Sequence, residues 1–116
     1  MRPPPEPAPR ADQAAPLFAA LGDATRLGIV RRLGTDGPLT TMRLTEATAL
    51  SRQGMTKHLL VLEHAGLVSH RRAGRDLLWD LQRHRLREAG ACLAQISAQW
   101  DRALERLRGL VEAPGA

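Results

Sequence analysis

Cysteine, aromatic residues and long apolar runs are all scarce in this sequence of 116 residues. The one cysteine, Cys92, excludes an intramolecular disulfide and any cysteine-based metal cluster within one chain, and it is typical of the reducing cytoplasm. No apolar run approaches the roughly twenty residues that span a bilayer, and the N-terminal segment lacks the hydrophobic region of a signal peptide. We therefore expect a cytoplasmic protein without a membrane partner. Since the only Phe and Trp residues are Phe18, Trp79 and Trp100, and tyrosine is absent, the core must consist mainly of Leu and Ala.

Lysine is also scarce, since sixteen of the seventeen basic residues are arginine, and twelve acidic residues leave a net charge of +5. This balance indicates a polyanionic partner, although the codon usage of a GC-rich genome would enrich arginine in the same way. The distribution of charge separates the two explanations. Residues 52–87 hold eight basic and three acidic residues, while the rest of the chain is neutral. Codon usage would not concentrate the charge in one segment, so a nucleic acid is the favoured partner.

The length suits one domain, and the composition divides the chain into that domain and two tails. The first sixteen residues contain six prolines, so we expect residues 1–15 to form a disordered, extended tail. Helical periodicity starts at Pro16, which suits the first position of a helix. We expect residues 16–111 to form the domain and residues 112–116 to form a short tail.

Four helices are predicted from Pro16 to Gly66. The first has an apolar face of Leu17, Phe18 and Leu21, and the second starts at the N-cap Asp23 and ends at Gly34. A short third helix is capped by Thr40 or Thr41, and the fourth is capped by Ser51. The fourth helix has a buried row of Met55, Leu59 and Leu62. Only a short turn separates the third and fourth helices.

After Gly66 the pattern changes to two short extended runs around Ala73 and Gly74, which predicts a β-hairpin over residues 67–81. A last helix of about 28 residues follows and spans roughly 40 Å. Its apolar residues recur at steps of three and four: Leu86, Ala89, Leu93, Ile96, Trp100, Ala103, Leu107 and Leu110. A domain this small cannot cover such a stripe, so we expect a homodimer. The expected interface residues on this helix are Leu86, Leu93, Ile96, Trp100, Leu104 and Leu107.

This order of elements predicts a mainly α fold with a small β-hairpin, which is a winged helix-turn-helix. In such folds the second helix of the pair enters the major groove of duplex DNA. Gln53 can make a bidentate pair with adenine and Arg52 with guanine, each worth about 1–3 kcal/mol of discrimination. The expected contacts of the recognition helix are Ser51, Arg52, Gln53, Thr56, Lys57 and His58, of which His58 could instead pack against a neighbouring helix. Those of the wing and nearby phosphates are Thr40, Thr41, Arg71, Arg72 and Arg75.

Three segments together resemble the ArsR/SmtB family of winged-helix repressors: "LGDATRLGIVRRL", "LTEATALSRQGMTKHLLVLEHAGLV" and "RRAGRDLLWDL". The resemblance covers roughly residues 16–110. It implies a homodimer held by the first and last helices, which adds Leu17, Phe18 and Leu21 to the expected interface. Such a dimer occludes a promoter and releases it when an inducer or a modification arrives. The recognition positions of the family fall on Ser51, Gln53, Thr56, Lys57 and His58, and its wing falls on Arg71, Arg72 and Arg75.

The sequence departs from the metal-sensing members of that family. Their cysteine-rich motif is replaced by "TTMRLTEA", which offers no soft ligand. Asp80 and His84 could begin the other common metal site, but Gln95 and Ala98 stand where its remaining ligands are needed. We therefore expect no metal and no other cofactor, and the inducer is unknown. His58, His64 and His70 recur every six residues but do not share a face, so they do not form a ligand set.

Two further alternatives remain open at this stage. Cys92 is either a small thiol that packs in the interface or a redox switch. The fold could also bind RNA or a protein instead of duplex DNA. Catalysis is not expected, because Cys92 and His84 lie more than 10 Å apart on one helix by the helical rise of about 1.5 Å per residue. No glycine loop for a phosphate is present either.

Overall fold

Five helices and a three-stranded antiparallel sheet make up residues 10–112, the part of the chain that the computed structural model describes. In chain order the elements are α1 (Ala11–Leu21), α2 (Ala24–Asp36), β1 (Leu39–Thr40), α3 (Thr41–Glu46), α4 (Arg52–His64), β2 (Val68–Ala73), β3 (Asp76–Leu81) and α5 (Arg83–Glu112). The strand order is β1-β3-β2. This architecture confirms the predicted fold class. The strand β1 is too short to show a period in the sequence, and its two residues pair with Trp79 and Leu78.

Asp23 and Ser51 cap their helices as the sequence predicts, and Thr40 caps the third helix, for which the sequence left Thr40 and Thr41 as alternatives. Asp23, Thr40 and Ser51 each accept a hydrogen bond from the backbone N–H three residues later, at 3.0, 3.2 and 3.0 Å. Such caps satisfy N–H groups that have no partner inside the helix. The helix-turn-helix pair α3–α4 therefore begins at well-defined points along the chain.

The predicted start of the first helix at Pro16 is wrong. Helix α1 begins at Ala11 and carries Pro16 in its interior, and the backbone N–H of Arg10 donates to Gln13 Oε1 at 3.1 Å. A proline removes one helical N–H, and here the alanine-rich turn before it continues the helix and buries Ala14. Residues 10–15 thus do not belong to an unstructured tail. The rest of that expected tail, residues 1–9, and residues 113–116 lie outside the described residues.

The predicted stop of the second helix at Gly34 is also wrong. Helix α2 continues to Asp36 and ends at Gly37, whose φ of 79° lies in the left-handed region that glycine tolerates best. Gly34 instead lies near the Leu81 side chain, inside the helix. The buried residues of α2 are Ile29, Val30 and Leu33. Leu27 has helical spacing with Val30 and Leu33, but it is 45% exposed.

The core lies between the helices and one side of the sheet. Its fully buried large side chains are Leu17, Leu33, Leu44, Met55, Leu59, Leu62, Leu67, Val68 and Trp79. The indole Nε1–H of Trp79 donates to Thr41 Oγ1 at 2.9 Å. Thr41, the first residue of α3, thus provides the acceptor for this buried indole N–H. Thr41 is only 3% exposed. The expected DNA contact of Thr41 is therefore wrong, because its hydroxyl faces the core.

Leu17 is likewise wrong as an interface residue, because it is completely buried within its own chain. Phe18, Leu21 and Leu86 are half-buried and pack against the same core. The periodicity of an amphipathic helix cannot separate side chains that cover its own core from side chains that cover a partner. Only the packing of α1 on the rest of the domain decides between them.

We predict that Thr41→Val lowers the free energy of unfolding by about 1–3 kcal/mol, because the buried indole N–H of Trp79 then lacks an acceptor. Urea denaturation at a fixed protein concentration measures the change. The matched control is Thr35→Val. The Thr35 hydroxyl is exposed and donates to the carbonyl of Arg31 in the same chain. The control should stay within about 0.5 kcal/mol of the wild type. Equal losses in the two variants would contradict the role given to Thr41.

Candidate nucleic-acid interface

Helix α4 buries one side and exposes the other. Met55, Leu59 and Leu62 are wholly buried, as predicted, and Gly66 follows the helix with a φ of 80°. Because the buried row has helical spacing, the residues on the opposite side point away from the core. These exposed residues are Gln53, Lys57, Leu60 and His64, at intervals of four, three and four. Gln53 and Lys57, which can donate hydrogen bonds, thus share this side of α4 with the apolar Leu60, which is 50% exposed.

The first turn of α4 is tied to the wing, which we define as residues 68–81. The Arg52 guanidinium, at the start of α4, pairs with Asp76 Oδ1 at 2.9 Å. The Thr56 hydroxyl donates to the carbonyl of Arg52 at 2.9 Å, and the Ser51 hydroxyl accepts the capping bond. Arg52 keeps an exposed side chain in this arrangement. The pair places the wing turn beside the beginning of the recognition helix.

Asp76 lies within this surface, although it is not among the site residues that the sequence predicts. Its carboxylate accepts hydrogen bonds from the backbone N–H groups of Met42 at 3.0 Å and Leu77 at 2.7 Å, besides the Arg52 contact. Burial raises the pKa of Asp76, but these amides and the Arg52 guanidinium outweigh it and leave the pKa below its ordinary value. The one available signal was an acidic residue directly after Arg75 in an otherwise basic turn.

His58 does not lie on the exposed side of α4. Its Nδ1 is 3.4 Å from a guanidinium nitrogen of Arg26 and 3.8 Å from Asp23 Oδ2. Arg26 Nε also donates to the carbonyl of Ala20 at 2.6 Å, at the end of α1. The segment "GDATR" therefore joins the end of α1, the start of α2 and the middle of α4. This packing withdraws His58 from the expected DNA contacts, because its ring faces the protein.

The other end of α4 is joined to the wing by Glu63 and His70. Glu63 Oε2 lies 2.5 Å from His70 Nδ1, and the imidazole ring lies 4.8 Å from the indole ring of Trp79 between centroids. His64, by contrast, is exposed. The three evenly spaced histidines thus have three different environments. Within residues 10–112 no group of three or more His, Cys, Asp or Glu side chains could hold a metal ion.

The wing carries the exposed basic residues of the site. Arg71 and Arg72 lie on β2, Arg75 lies in the turn next to Gly74, and all three are exposed. Gly74 has a φ of 64°, which this tight turn requires. No ion pair between residues 10 and 112 involves these three arginines or Lys57. Their charge is therefore available to an external anion. Thr40 is half-buried, and its hydroxyl caps α3.

Helix α5 exposes most of the apolar stripe that the sequence predicts, but Ala89 is buried in the core of its own chain. At 30 residues it runs about 45 Å, and beyond its first turns it leaves the core. The exposed apolar residues are Leu93, Ile96, Trp100, Leu104, Leu107, Leu110 and Val111. Trp100 is 64% exposed, and Cys92 beside the stripe is a half-buried free thiol. No described helix is long and apolar enough to cross a membrane.

Comparisons with known proteins agree with this arrangement. A family described as a helix-turn-helix domain matches residues 21–71. The HTH-type transcriptional regulator Rv2034 of Mycobacterium tuberculosis is 35% identical over 98 residues, which cover 84% of this chain and 88% of that protein.

Two solved structures are also similar. An ArsR-like transcriptional regulator from Rhodococcus has a TM-score of 0.73 and 32% identity, covering 89% of this chain and 96% of its own. A homodimeric winged helix-turn-helix DNA-binding domain from Mycobacterium bovis, a possible ArsR-family regulator, has a TM-score of 0.61 and 27% identity, covering 76% of this chain and 80% of its own. The chain belongs to the ArsR/SmtB family of winged helix-turn-helix transcriptional regulators.

Proposed function

We propose that this protein is a homodimeric repressor that reads an inverted-repeat operator in duplex DNA with α4 and the wing of each copy. One observation carries the proposal: the exposed side of α4 lies beside a wing whose arginines have no carboxylate partner among the described residues. The segment that contains both carries the whole net charge of the chain. A surface of this kind gains affinity by displacing counterions from phosphates.

The proposed roles divide between reading bases and binding the backbone. Gln53 faces outward from the first turn of α4, where a recognition helix meets base edges, and suits adenine. Arg52 suits guanine. Lys57 and Thr56 suit a base edge or a phosphate, and Ser51 suits a phosphate. The wing and its surroundings bind the backbone through Arg71, Arg72, Arg75 and the half-exposed Thr40.

Dimerisation is proposed because nothing within residues 10–112 covers the stripe on α5. An exposed apolar surface that spans several helical turns favours a protein partner, and the similar domain from Mycobacterium bovis is homodimeric. The proposed interface consists of Phe18, Leu21, Leu93, Ile96, Trp100, Leu104 and Leu107, with Leu86 at its margin. A two-fold dimer presents two copies of α4, so it should prefer half-sites about one helical turn, roughly 34 Å, or a multiple apart.

The regulatory scheme follows from binding alone. A dimer on an operator excludes other proteins from that stretch of DNA, and an inducer or modification would release it. Residues 11–112 would serve as one DNA-binding and dimerisation domain that acts in the cytoplasm without catalysis or cofactor. Cys92 lies next to the proposed interface, where it either packs as a small apolar side chain or responds to oxidation.

A winged helix that binds RNA or a protein is the competing function. The two-fold repetition that a dimer imposes favours duplex DNA, because an inverted repeat has the same symmetry. Selection of random duplexes by the purified protein tests this directly. We expect recovery of an inverted repeat, with affinity that falls steeply as salt rises. Failure to recover any repeat would overturn the proposed function.

We predict that Gln53→Ala changes the preferred base at one position of each half-site, because a base contact supplies discrimination of about 1–3 kcal/mol. Binding to a panel of operators with single substitutions measures the change. Gln95→Ala on α5 is the control and should leave the preference intact. A uniform loss at every position would contradict the role of Gln53.

Arg75→Ala should weaken binding to all sequences alike and reduce the slope of log affinity against log salt by about 1, because one phosphate contact is lost. Titrations at several salt concentrations measure the slope. Arg102→Ala, which removes one positive charge from α5, is the matched control. A changed base preference in Arg75→Ala would contradict the division between reading and binding residues.

Trp100→Asp should give a monomer at micromolar concentration in sedimentation experiments, because it places a charge in the centre of the apolar stripe. Gln99→Asp adds the same charge to the adjacent, exposed position and should remain dimeric. Persistence of a Trp100→Asp dimer would contradict the proposed interface.

A further inference from the structure

We propose that Asp76 is a positioning residue for DNA recognition, which holds the Arg52 guanidinium in the orientation that it presents to a base. This inference rests on the proposed function, since it concerns how the same site distinguishes sequences. It assigns a role to an acidic side chain in the middle of a surface that is otherwise basic.

The Asp76 carboxylate has a fixed position. The Met42 N–H from α3 donates to Oδ2 at 3.0 Å, and the Leu77 N–H donates to Oδ1 at 2.7 Å. The side chain is only 16% exposed. Two backbone groups from separate elements therefore hold the carboxylate without help from Arg52. An anion fixed in this way can orient a flexible partner.

Arg52 is anchored at only one edge of its guanidinium. One terminal nitrogen lies 2.9 Å from Asp76 Oδ1, and the side chain as a whole is 61% exposed. A guanidinium has five N–H donors in a rigid fork, so an anchor at one nitrogen leaves others for a ligand. Arginine loses much rotamer freedom when it binds, and an anchor removes part of that loss before the DNA arrives.

The Arg52–Asp76 pair lies where the start of α4 meets the wing turn. Arg52 is the first residue of α4, and residues at the N-terminal end of a recognition helix contact base edges. Asp76 directly follows Arg75 in the wing turn. Moreover, the amides and Arg52 keep the pKa of Asp76 below its ordinary value. Both members of the pair are therefore charged at neutral pH.

A different role for the same contact would be competition, in which Asp76 occupies Arg52 and DNA must displace it. The two roles predict opposite signs. If Asp76 positions Arg52, then Asp76→Asn weakens binding, whereas if Asp76 competes with DNA, the same change strengthens binding. Asparagine keeps one acceptor oxygen, which can serve the N–H of Leu77 or that of Met42 but not both, and removes the charge that holds the guanidinium.

The test compares the wild type with Asp76→Asn, Arg52→Ala and the double variant on the selected operator and on operators with single substitutions. The matched control is Asp80→Asn. Asp80 also lies on β3 and accepts from the next backbone N–H, that of Leu81, but it has no arginine partner among the described residues. The control therefore changes the net charge equally and leaves Arg52 in place.

We expect Arg52→Ala to weaken operator binding about tenfold or more through the loss of a base contact. Asp76→Asn should weaken it about threefold to tenfold relative to Asp80→Asn. Both variants should relax the preference at the same base pair, and the double variant should bind like Arg52→Ala alone, because Asp76 acts through Arg52. A merely structural role would not produce a loss confined to one base pair.

Three results would overturn the inference: tighter binding by Asp76→Asn, additive losses in the double variant, or equal losses at every base pair. Asp76→Glu keeps the charge but moves the carboxylate by one methylene, and it should relax the same base pair if Asp76→Asn does not fold. Failure of the wild type to select any repeat would remove the proposed function together with this inference. If Gln53→Ala changes the base preference as predicted but the Asp76 variants do not behave as expected, only this inference is overturned.

Discussion

Burial of one row of α4, formed by Met55, Leu59 and Leu62, is the constraint on which the rest of the site depends. These side chains are wholly enclosed, so α4 cannot rotate without exposing them. Each such side chain contributes about 1.5–3 kcal/mol when it leaves water, which exceeds the contribution of any single polar contact on the surface. The orientation of Gln53 and Lys57 toward the outside is therefore a consequence of core packing.

Three polar connections add precision to that orientation. Arg52 pairs with Asp76 in the wing, His58 lies against Asp23 and Arg26, and Glu63 pairs with His70 on β2. They connect the beginning and the end of α4 to the wing, and its middle to the junction between α1 and α2. Partly exposed pairs contribute about 1 kcal/mol or less to stability, so they serve to set distances between elements more than to hold the fold together. The middle connection also joins α4 to the end of α1, next to the helices of the proposed dimer interface.

The exposed stripe on α5 and the basic surface of α4 and the wing belong to one mechanism. An isolated copy leaves Leu93, Ile96 and Trp100 largely exposed, and a single recognition helix reads few base pairs. A second copy would cover the stripe and double the length of DNA that is read. In the proposed function, recognition of the operator therefore depends on dimerisation, although the two use different elements of the chain.

The sequence by itself determined the features that depend on near neighbours in the chain: the caps at Asp23, Thr40 and Ser51, the buried row of α4, the hairpin around Gly74 and the apolar period of α5. Local prediction was wrong at Pro16 and Gly34, where helical residues on both sides continue the helix through a residue that often ends one. Only the tertiary structure decided which way Thr41, His58, Leu17 and Asp76 face. Thr41 meets Trp79, His58 meets Arg26, and Asp76 meets Arg52 across 24 to 38 positions of the chain. Hydrophobic periodicity identifies the apolar side of a helix, but the partner of a polar side chain depends on how separate elements pack, which no local pattern specifies.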